Sequence, residues 1–438
     1  MAEIYTPLGA LDSLHPTTSE PSVRPVRALL ASLLLPVLLT AQDQPTAVRA
    51  ARLLDVATGR MHAPGLVVMH EGRITQVGGT APAGAAVIDA GDATLLPGFI
   101  DAHVHLTSEI RPGFDTEPVR ETAVDGAITG VANAYKTLRA GFTTVRNVGS
   151  GGFADVALMR AVDRGTILGP RIIPAAHALG ITGGHCDITG FAPGIRERGP
   201  QEGIANGADE FTTAVREQLK HGAKVIKICA TAGVLSFEES VGAQQMSEAE
   251  LRAVVEEASR HGVKVAAHAH GVVGIKAAVR AGVASIEHGS ILDDEAIALM
   301  KERGTYLVPT RALGGLIDMA ALPPLLRGKA EQILPMADAS FRKAVAAGVK
   351  VALGTDAAVM PHGLNAKEFA VMVDAGMTPL QALQAGTLNG ADLLGTPDRG
   401  QLVVGMLADL VAVPGNPLTD ITSTERPVLV IKGGVRID

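Results

Sequence analysis

The sequence predicts an α/β protein: a closed (β/α)8 barrel of the TIM type carrying a small discontinuous β-sandwich domain built from both chain ends. Three observations carry that prediction. Eight short apolar, β-rich runs alternate with helical patterns through the middle of the chain. Before residue 97 the helical period is missing and glycine-punctuated β runs take its place. After about residue 396 the same β grammar returns. The 438 residues suffice for one large and one small domain, since domains run to roughly 100–200 residues.

Taken in order, residues 1–41 read as a targeting segment. The uncharged run ALLASLLLPVLL (28–39) follows Arg24 and Arg27 and precedes Thr40 and Ala41, the layout of a secretory signal peptide cleaved near Ala41. It is shorter than the ~20 apolar residues of a membrane span. Residues 1–23 are polar and proline-containing, unlike a signal n-region; a translation start assigned too far upstream explains them. The expectation is export, periplasmic or secreted, or a cytoplasmic location if the segment is not processed. Residues 42–97 supply AVRAARLLDV, GLVVMHEGRITQVG and AAVIDA, broken at Gly59, Gly65, Gly72 and Gly78, which predicts short antiparallel strands. GQLVVGMLADLVAVPG and PVLVIKGGVRID, within 396–438, are expected to rejoin them.

Residues 98–395 form the predicted barrel. Its strands are FIDAHVH, FTTVRNVG, RIIPAAHAL, AKVIKICA, VKVAAHAH, ASIEHG, TYLVPT and VKVALGTD. Between them lie the helix patterns ITGVANAYKTLRA, DEFTTAVREQLKHG, SEAELRAVVEEASRHG, GIKAAVRAG and DDEAIALMKERG. Ser247 with Glu250 makes a capping box, and Gly222 and Gly262 stand just past helix ends. Thr378-Pro379 opens one more helix, LQALQAGTLNGADLLG. A doubly wound open sheet is the alternative arrangement.

Composition limits the function. Hydrophobic residues are 47% and charged ones 19%, so global disorder is excluded. The net charge is −7, with Lys and Arg scattered and no Trp, which argues against a nucleic-acid or anionic-membrane partner. Cys186 and Cys229 permit at most one disulfide, and spacing does not say whether they are within reach.

The chemistry gathers at strand ends. His103 and His105 lie two apart at the end of the first barrel strand, so both imidazoles can share a face and reach one metal ion. An isolated HxH pair is a weak signal. His268 ends strand five, His288 strand six and Asp356 strand eight, and in a barrel those ends meet at one mouth. In the fourth run, alternation puts Val225, Lys227 and Cys229 on one face and Ile226 and Ile228 on the other. The isoleucines suit the helix layer, so Lys227 points inward, where an unpaired ammonium is costly. A carboxylate partner would give Lys227 a structural role. The functional reading is that Lys227 reacts with CO2 to a carbamate whose two oxygens bridge two cations.

With LLPGFIDAHVHL, TGGH at 182–185, AHAHG at 267–271, IEHGS at 286–290 and GMLADLVAV near the carboxyl end, the chain resembles the amidohydrolase superfamily. Within it the chain looks most like the prolidase-like carboxypeptidase branch that includes ochratoxinase-like enzymes. The resemblance spans about residues 47–438 and implies a binuclear centre. His103, His105 and Asp356 would bind one ion and His268 and His288 the other, with carboxylated Lys227 and a hydroxide bridging. Zinc suits these donors, although iron, manganese or cobalt accept similar ones. Asn147, where Asp is often found, and Ala232, where a second Gly is usual, depart from the pattern at positions expected in the pocket.

The implied reaction is attack of the bridging hydroxide on an amide that joins a carboxyl-terminal amino acid, in a dipeptide, an N-acyl amino acid or an ochratoxin A type substrate. Asp356 would serve as general base and then general acid. His185, in the loop after strand three, would hydrogen-bond the oxyanion or the substrate; a loop histidine facing water competes with that role. His270 reads as pocket wall, His177 as a satisfied core histidine, and His221 and His261 as helix-terminal cations. Arg111 or Arg311 could hold a substrate carboxylate, though a solvated surface arginine fits either better. The substrate pocket is expected from 108–114, 234–240, 312–317 and 359–364. Ring opening of the imidazolonepropionase or hydantoinase kind is the alternative reaction, and a noncatalytic barrel the alternative class. Partners are a small-molecule amide and further copies of the chain in a homo-oligomer, with no nucleic acid and, in the mature form, no membrane.

Overall fold

The computed structural model describes residues 44–238 and 240–438. The expected signal segment lies outside them. Seven regular parallel strands carry the barrel: Phe99–Val104, Phe142–Asn147, Arg171–Pro174, Ile226–Cys229, Val265–Ala269, Ser285–His288 and Tyr306–Val308. Register runs Ile100 to Thr144, Val145 to Ile172, Lys227 to Ala266, Ala267 to Ile286 and Ile286 to Leu307. The ring is joined between its third and fourth members by Leu179, whose N–H donates to Lys227 O at 2.8 Å and whose carbonyl accepts from Cys229 N at 2.9 Å. The runs are rich in Val, Ile and Ala and buried on both sides, as a sheet wrapped by helices requires.

The eighth predicted strand, VKVALGTD, is an extended segment without a continuous ladder. Its amides are divided among neighbours: Ala352 N donates to Leu307 O, Leu353 N to Ala385 O, Thr355 N to the Asp101 carboxylate and Asp356 N to His103 O. Those bonds still close the barrel between the seventh and first strands.

The helices follow their sequence signals where caps are explicit. Ser247 and Glu250 form the capping box of Glu248–Arg260, and Gly222 ends Ala208–His221 in the left-handed region at φ 114°, where a side chain would be strained. The run 380–395, expected as one helix, is two, Pro379–Ala385 and Leu388–Leu394. The chain turns at Gly386, where a Cβ would stand 2.5 Å from the Phe369 ring, and Thr387 bonds back to Leu383 O. Four helices join those expected: Ala154–Asp163, the short Leu313–Leu316, Lys367–Asp374 and the 24-residue Pro324–Ala347.

Strands from both ends of the described chain pack beside the barrel as two sheets. Thr46–Ala50, Gly65–His70, Arg73–Val77 and Ala86–Asp89 make one. In the other, Ala93–Pro97 pairs antiparallel with Leu410–Pro414. Val48, Val67, Met69, Leu95, Leu410 and Ile431 share one apolar cluster between them. Ala93–Pro97 then runs through Gly98 directly into the first barrel strand, which fixes where Asp101, His103 and His105 emerge.

Candidate metal centre

His103 is buried in the barrel. Its Nδ1 lies 2.7 Å from Glu287 Oε2, so Nδ1–H donates to the carboxylate and Nε2 is left without a proton, able to act as a ligand. Glu287 in turn accepts from Arg146 at 2.8 Å and from the Ser285 hydroxyl. Burial opposes the Glu287 charge, but Arg146 and His103 outweigh it and hold its pKa at about 2. His105 donates through Nδ1 to Gly149 O at 3.2 Å, which again frees Nε2. Both Nε2 atoms face Asp356 Oδ1, at 3.4 and 3.5 Å. These three side chains offer ligand atoms within 4.8 Å of one another.

A second group of imidazoles stands beside them. The His288 ring is 5.0 Å from that of His103 and 4.8 Å from that of His268, and Thr310 Oγ1 fixes its Nδ1 at 2.9 Å. His268 Nε2 is buried and has no hydrogen-bond partner among the described residues. Such an orphan costs free energy unless something fills it, and together with the freed nitrogens and the carboxylate it makes a donor set that fits divalent cations. Burial lowers the pKa values of five imidazoles here: His105 and His185 to about 4, His270 to about 3, and His268 and His288 well below the ordinary range. Neutral imidazole is the form that binds a metal. Burial also opposes the Asp356 charge, yet His103, His105 and His288 hold its carboxyl well below the usual range.

Lys227 lines the same cavity. Among the described residues no carboxylate stands within ion-pair distance of its ammonium, and burial drives its pKa down to about 8. Backbone strain marks the rim: His288, Thr310 and Asp356 have φ of 70°, 51° and 57°, a costly region for side-chain-bearing residues that persists where the surroundings fix it.

Asp101 ties the first and eighth barrel segments together beneath the cluster. It accepts from His103 N, Thr355 N, Thr355 Oγ1 and Asn365 Nδ2, and burial raises its pKa to about 6.

His185 is not a loop histidine facing water. Its ring stacks on His268 at 4.1 Å, and its Nδ1 lies 2.6 Å from Ser236 Oγ, which donates to Glu238 Oε1 at 2.7 Å. Gly233 is required there, because a Cβ would come within 2.3 Å of that ring. Cys186, the next residue, is disulfide-bonded to Cys229, tying the His185 loop to the strand that carries Lys227. His270 forms cavity wall with Nδ1 on Ser290 Oγ. His177 is satisfied by Gln218 and by Gly152 N. His221 and His261 pair with Glu217 and Glu257 at helix ends.

Other expectations are corrected. Asn147 is not a pocket residue: it is fully buried and spends its amide on Leu106 N, Gly149 O and Asp155. Ala232 is likewise buried behind the cavity. Arg111 is exposed and paired with Glu117 and Glu121, whereas Arg311 is buried and lines the cavity. Glu287, Arg146, Asp101, Thr310 and Ser236 were not singled out from sequence. Glu287 had a readable signal, since alternation from Ser285 points it inward.

The cavity has a volume of about 320 Å³. The cluster sits at one end, and Val234, Leu235, Leu313, Ile317 and Ile333 form an apolar wall. Ile333 comes from the 24-residue helix.

A family model described as the amidohydrolase family matches residues 94–437. Ochratoxinase from Aspergillus niger is 36% identical over 369 residues, covering 78% of this chain and 75% of the relative. A solved Xaa-Pro dipeptidase with bound methionine in the active site superposes with a TM-score of 0.86 at 39% identity, over 90% of this chain and 99% of that one. A prolidase complexed with N-methylphosphonate-L-proline gives 0.83 at 32% identity, over 90% and 100%.

Proposed function

The chain belongs to the amidohydrolase family and is a hydrolase acting on amide bonds, and from that premise we propose that it releases a carboxyl-terminal amino acid from a dipeptide or N-acyl amino acid. The observation that carries this reading is the meeting of two histidine groups, Asp356 and Lys227 in a cavity that also has an apolar wall of Val234, Leu235, Leu313, Ile317 and Ile333. The neighbouring structures support the substrate class: methionine and the proline phosphonate both carry a free carboxylate beside the bond-forming nitrogen. An aromatic acid joined to phenylalanine, as in ochratoxin A, is a member of that class that the apolar wall would admit.

His103, His105 and Asp356 would hold one divalent cation and His268 and His288 a second, zinc by the nature of the donors. Lys227, which among the described residues has no carboxylate within ion-pair distance, would help hold the cations as a carbamate: its neutral nitrogen bonds to the carbon of CO2 and releases a proton to water. Bound cations supply a lowered pKa for water and polarise the scissile carbonyl. Asp356 accepts the proton of the attacking water at a carboxylate oxygen and hands it to the departing nitrogen. His185, held through Nδ1 by Ser236, lies against the cluster to contact the oxygen on which charge develops. The apolar wall takes up the substrate's side chains and keeps bulk water away.

Export and homo-oligomer assembly belong to the same proposal. The Cys186–Cys229 bond supports export, because such bonds persist in oxidising compartments.

Metal analysis combined with a panel of dipeptides, N-acyl amino acids and cyclic amides tests the reading. Liberated amino acid and two metals per chain are expected. Products of ring opening alone, with every linear amide untouched, would overturn it.

A further inference from the structure

Outside the histidines, Lys227 and Asp356, one charged side chain lines the cavity among the described residues: Arg311. It is only 9% exposed. Its Nε donates to Pro309 O at 2.8 Å, and among the described residues no carboxylate lies within ion-pair distance of the guanidinium. The acid nearest it in effect, Glu368, is committed elsewhere. Its two oxygens accept from Arg311 N at 2.8 Å and Ala312 N at 2.6 Å, and burial raises its pKa to about 7. Glu368 therefore pins the backbone under Arg311 and favours its charge from a distance, while its oxygens are spent on backbone N–H groups and form no ion pair with the guanidinium. Lys329, the other buried cation nearby, donates to Ser236 O and Glu238 O, both at 2.7 Å.

A cation withdrawn from water with no counter-ion is costly. Arg311 lines the same cavity as the candidate metal-binding side chains, and among the described residues only its Nε is engaged by a hydrogen bond. The guanidinium's planar fork matches a carboxylate bidentately. Position adds to the argument: Thr310, which fixes His288, is the preceding residue, so the cluster and the cation are set by one short turn of backbone.

We infer that Arg311 is the anchor for the substrate's free carboxylate, and that it restricts turnover to amides whose amine side ends in one. The inference rests on the amide-hydrolase reading of this cavity and adds the group that reads the substrate's charge.

The test uses the metal-loaded full chain, Arg311→Met and Arg311→Lys, with N-acetyl-L-leucine and N-acetyl-L-leucinamide, following released acetate. In the wild type kcat/KM for the acid should exceed that for the carboxamide by about 100-fold, the scale of losing a partner to a buried charge. Arg311→Met should lose about 100-fold on the acid, mainly in KM, and keep both its metals and its rate on the carboxamide. Arg311→Lys should recover part of the loss. Equal losses on acid and carboxamide, or no loss on either, would overturn the anchor. Calorimetric titration with N-acetyl-L-leucine separates the two readings. If neither compound is hydrolysed but the acid binds the wild type and not Arg311→Met, the anchor stands and the proposed reaction fails. Binding indifferent to the carboxylate or to Arg311 sinks the anchor whatever the turnover.

Discussion

Replacing Glu287 by glutamine keeps the volume and removes the charge on which the barrel interior depends. In the native chain Glu287 takes hydrogen bonds from Arg146, His103 and Ser285 and is fully buried. An amide has one oxygen to accept and an NH2 that must face either Arg146 or His103, each of which is a donor. The carboxyl is held at about 2 against 4.5 ordinarily, a difference worth about 3 kcal/mol. The folded value lies below the unfolded one, so this stability is complete above about pH 4.5 and is lost as the pH falls through about 2. With ~2.1 cal/mol/K of unfolding entropy per residue over roughly 400 residues, 3 kcal/mol lowers Tm by about 4 °C. His103 would also lose the partner that fixes its tautomer, which weakens metal binding by roughly 10- to 100-fold. Calorimetry of the metal-free chain at pH 7 reads the first effect and competitive chelation the second. A Glu287→Gln protein within 1 °C of wild type, holding metal equally well, would refute the claim that this carboxylate organises the site.

Four further outcomes are expected. Lys227→Ala should lose one or both metals and nearly all hydrolysis; two metals and full activity in that variant, by metal analysis and assay, would reject the bridging role. Gly233→Ala should displace the His185 ring, which its Cβ would meet at 2.3 Å, and cost on the order of 100-fold in kcat with metal content intact; an unchanged kcat would mean that His185 takes no part. Reducing the Cys186–Cys229 bond, which closes a loop with a separation of 43 residues, should cost up to about 4 kcal/mol of stability by loop entropy, seen as a lower urea midpoint. Stripping metal with a chelator should abolish hydrolysis and raise the protease sensitivity of the rim residues held at positive φ, with zinc restoring both; activity that survives full stripping would argue against a metal requirement.

How much of this could be read in advance depends on whether a residue's position obeys the period of its element. Lys227 was legible because it sits mid-strand, where strict alternation separates it from Ile226 and Ile228 and both faces are buried. His268 follows the same rule. His288 and Glu287 are adjacent in one strand, and alternation would send only one of them inward; both face the site because the chain turns left-handed at His288. Nothing in the residue type announces that turn. The eighth strand was placed correctly but expected to be regular, since its apolar run does not reveal that the Asp101 carboxylate would take one of its amides. The helix Pro324–Ala347 escaped notice because Pro324, Gly328 and Pro335 read as breaks; Pro324 stands at the helix start, where it costs little, and tertiary packing carries the rest. Disulfide pairing was open for a different reason, because 43 residues of spacing say nothing about a distance that only the barrel sets.

Arg311 shows the limit most plainly. By composition an arginine in a loop after a short strand is solvated far more often than buried, and that is how it reads in isolation. Its burial comes from contacts that no local pattern encodes: Glu368, 57 positions away, holds its backbone, and the helix bearing Ile333 roofs the cavity it faces. Metal-ligating side chains can be found by residue type and period because coordination chemistry restricts the choices to a few. A specificity group has no such restriction, since any cation placed at the right depth will bind a carboxylate. The candidate metal cluster was therefore more legible than the group proposed to read the substrate's charge, which is to be sought among charges the fold buries without an ion-pair partner among the described residues.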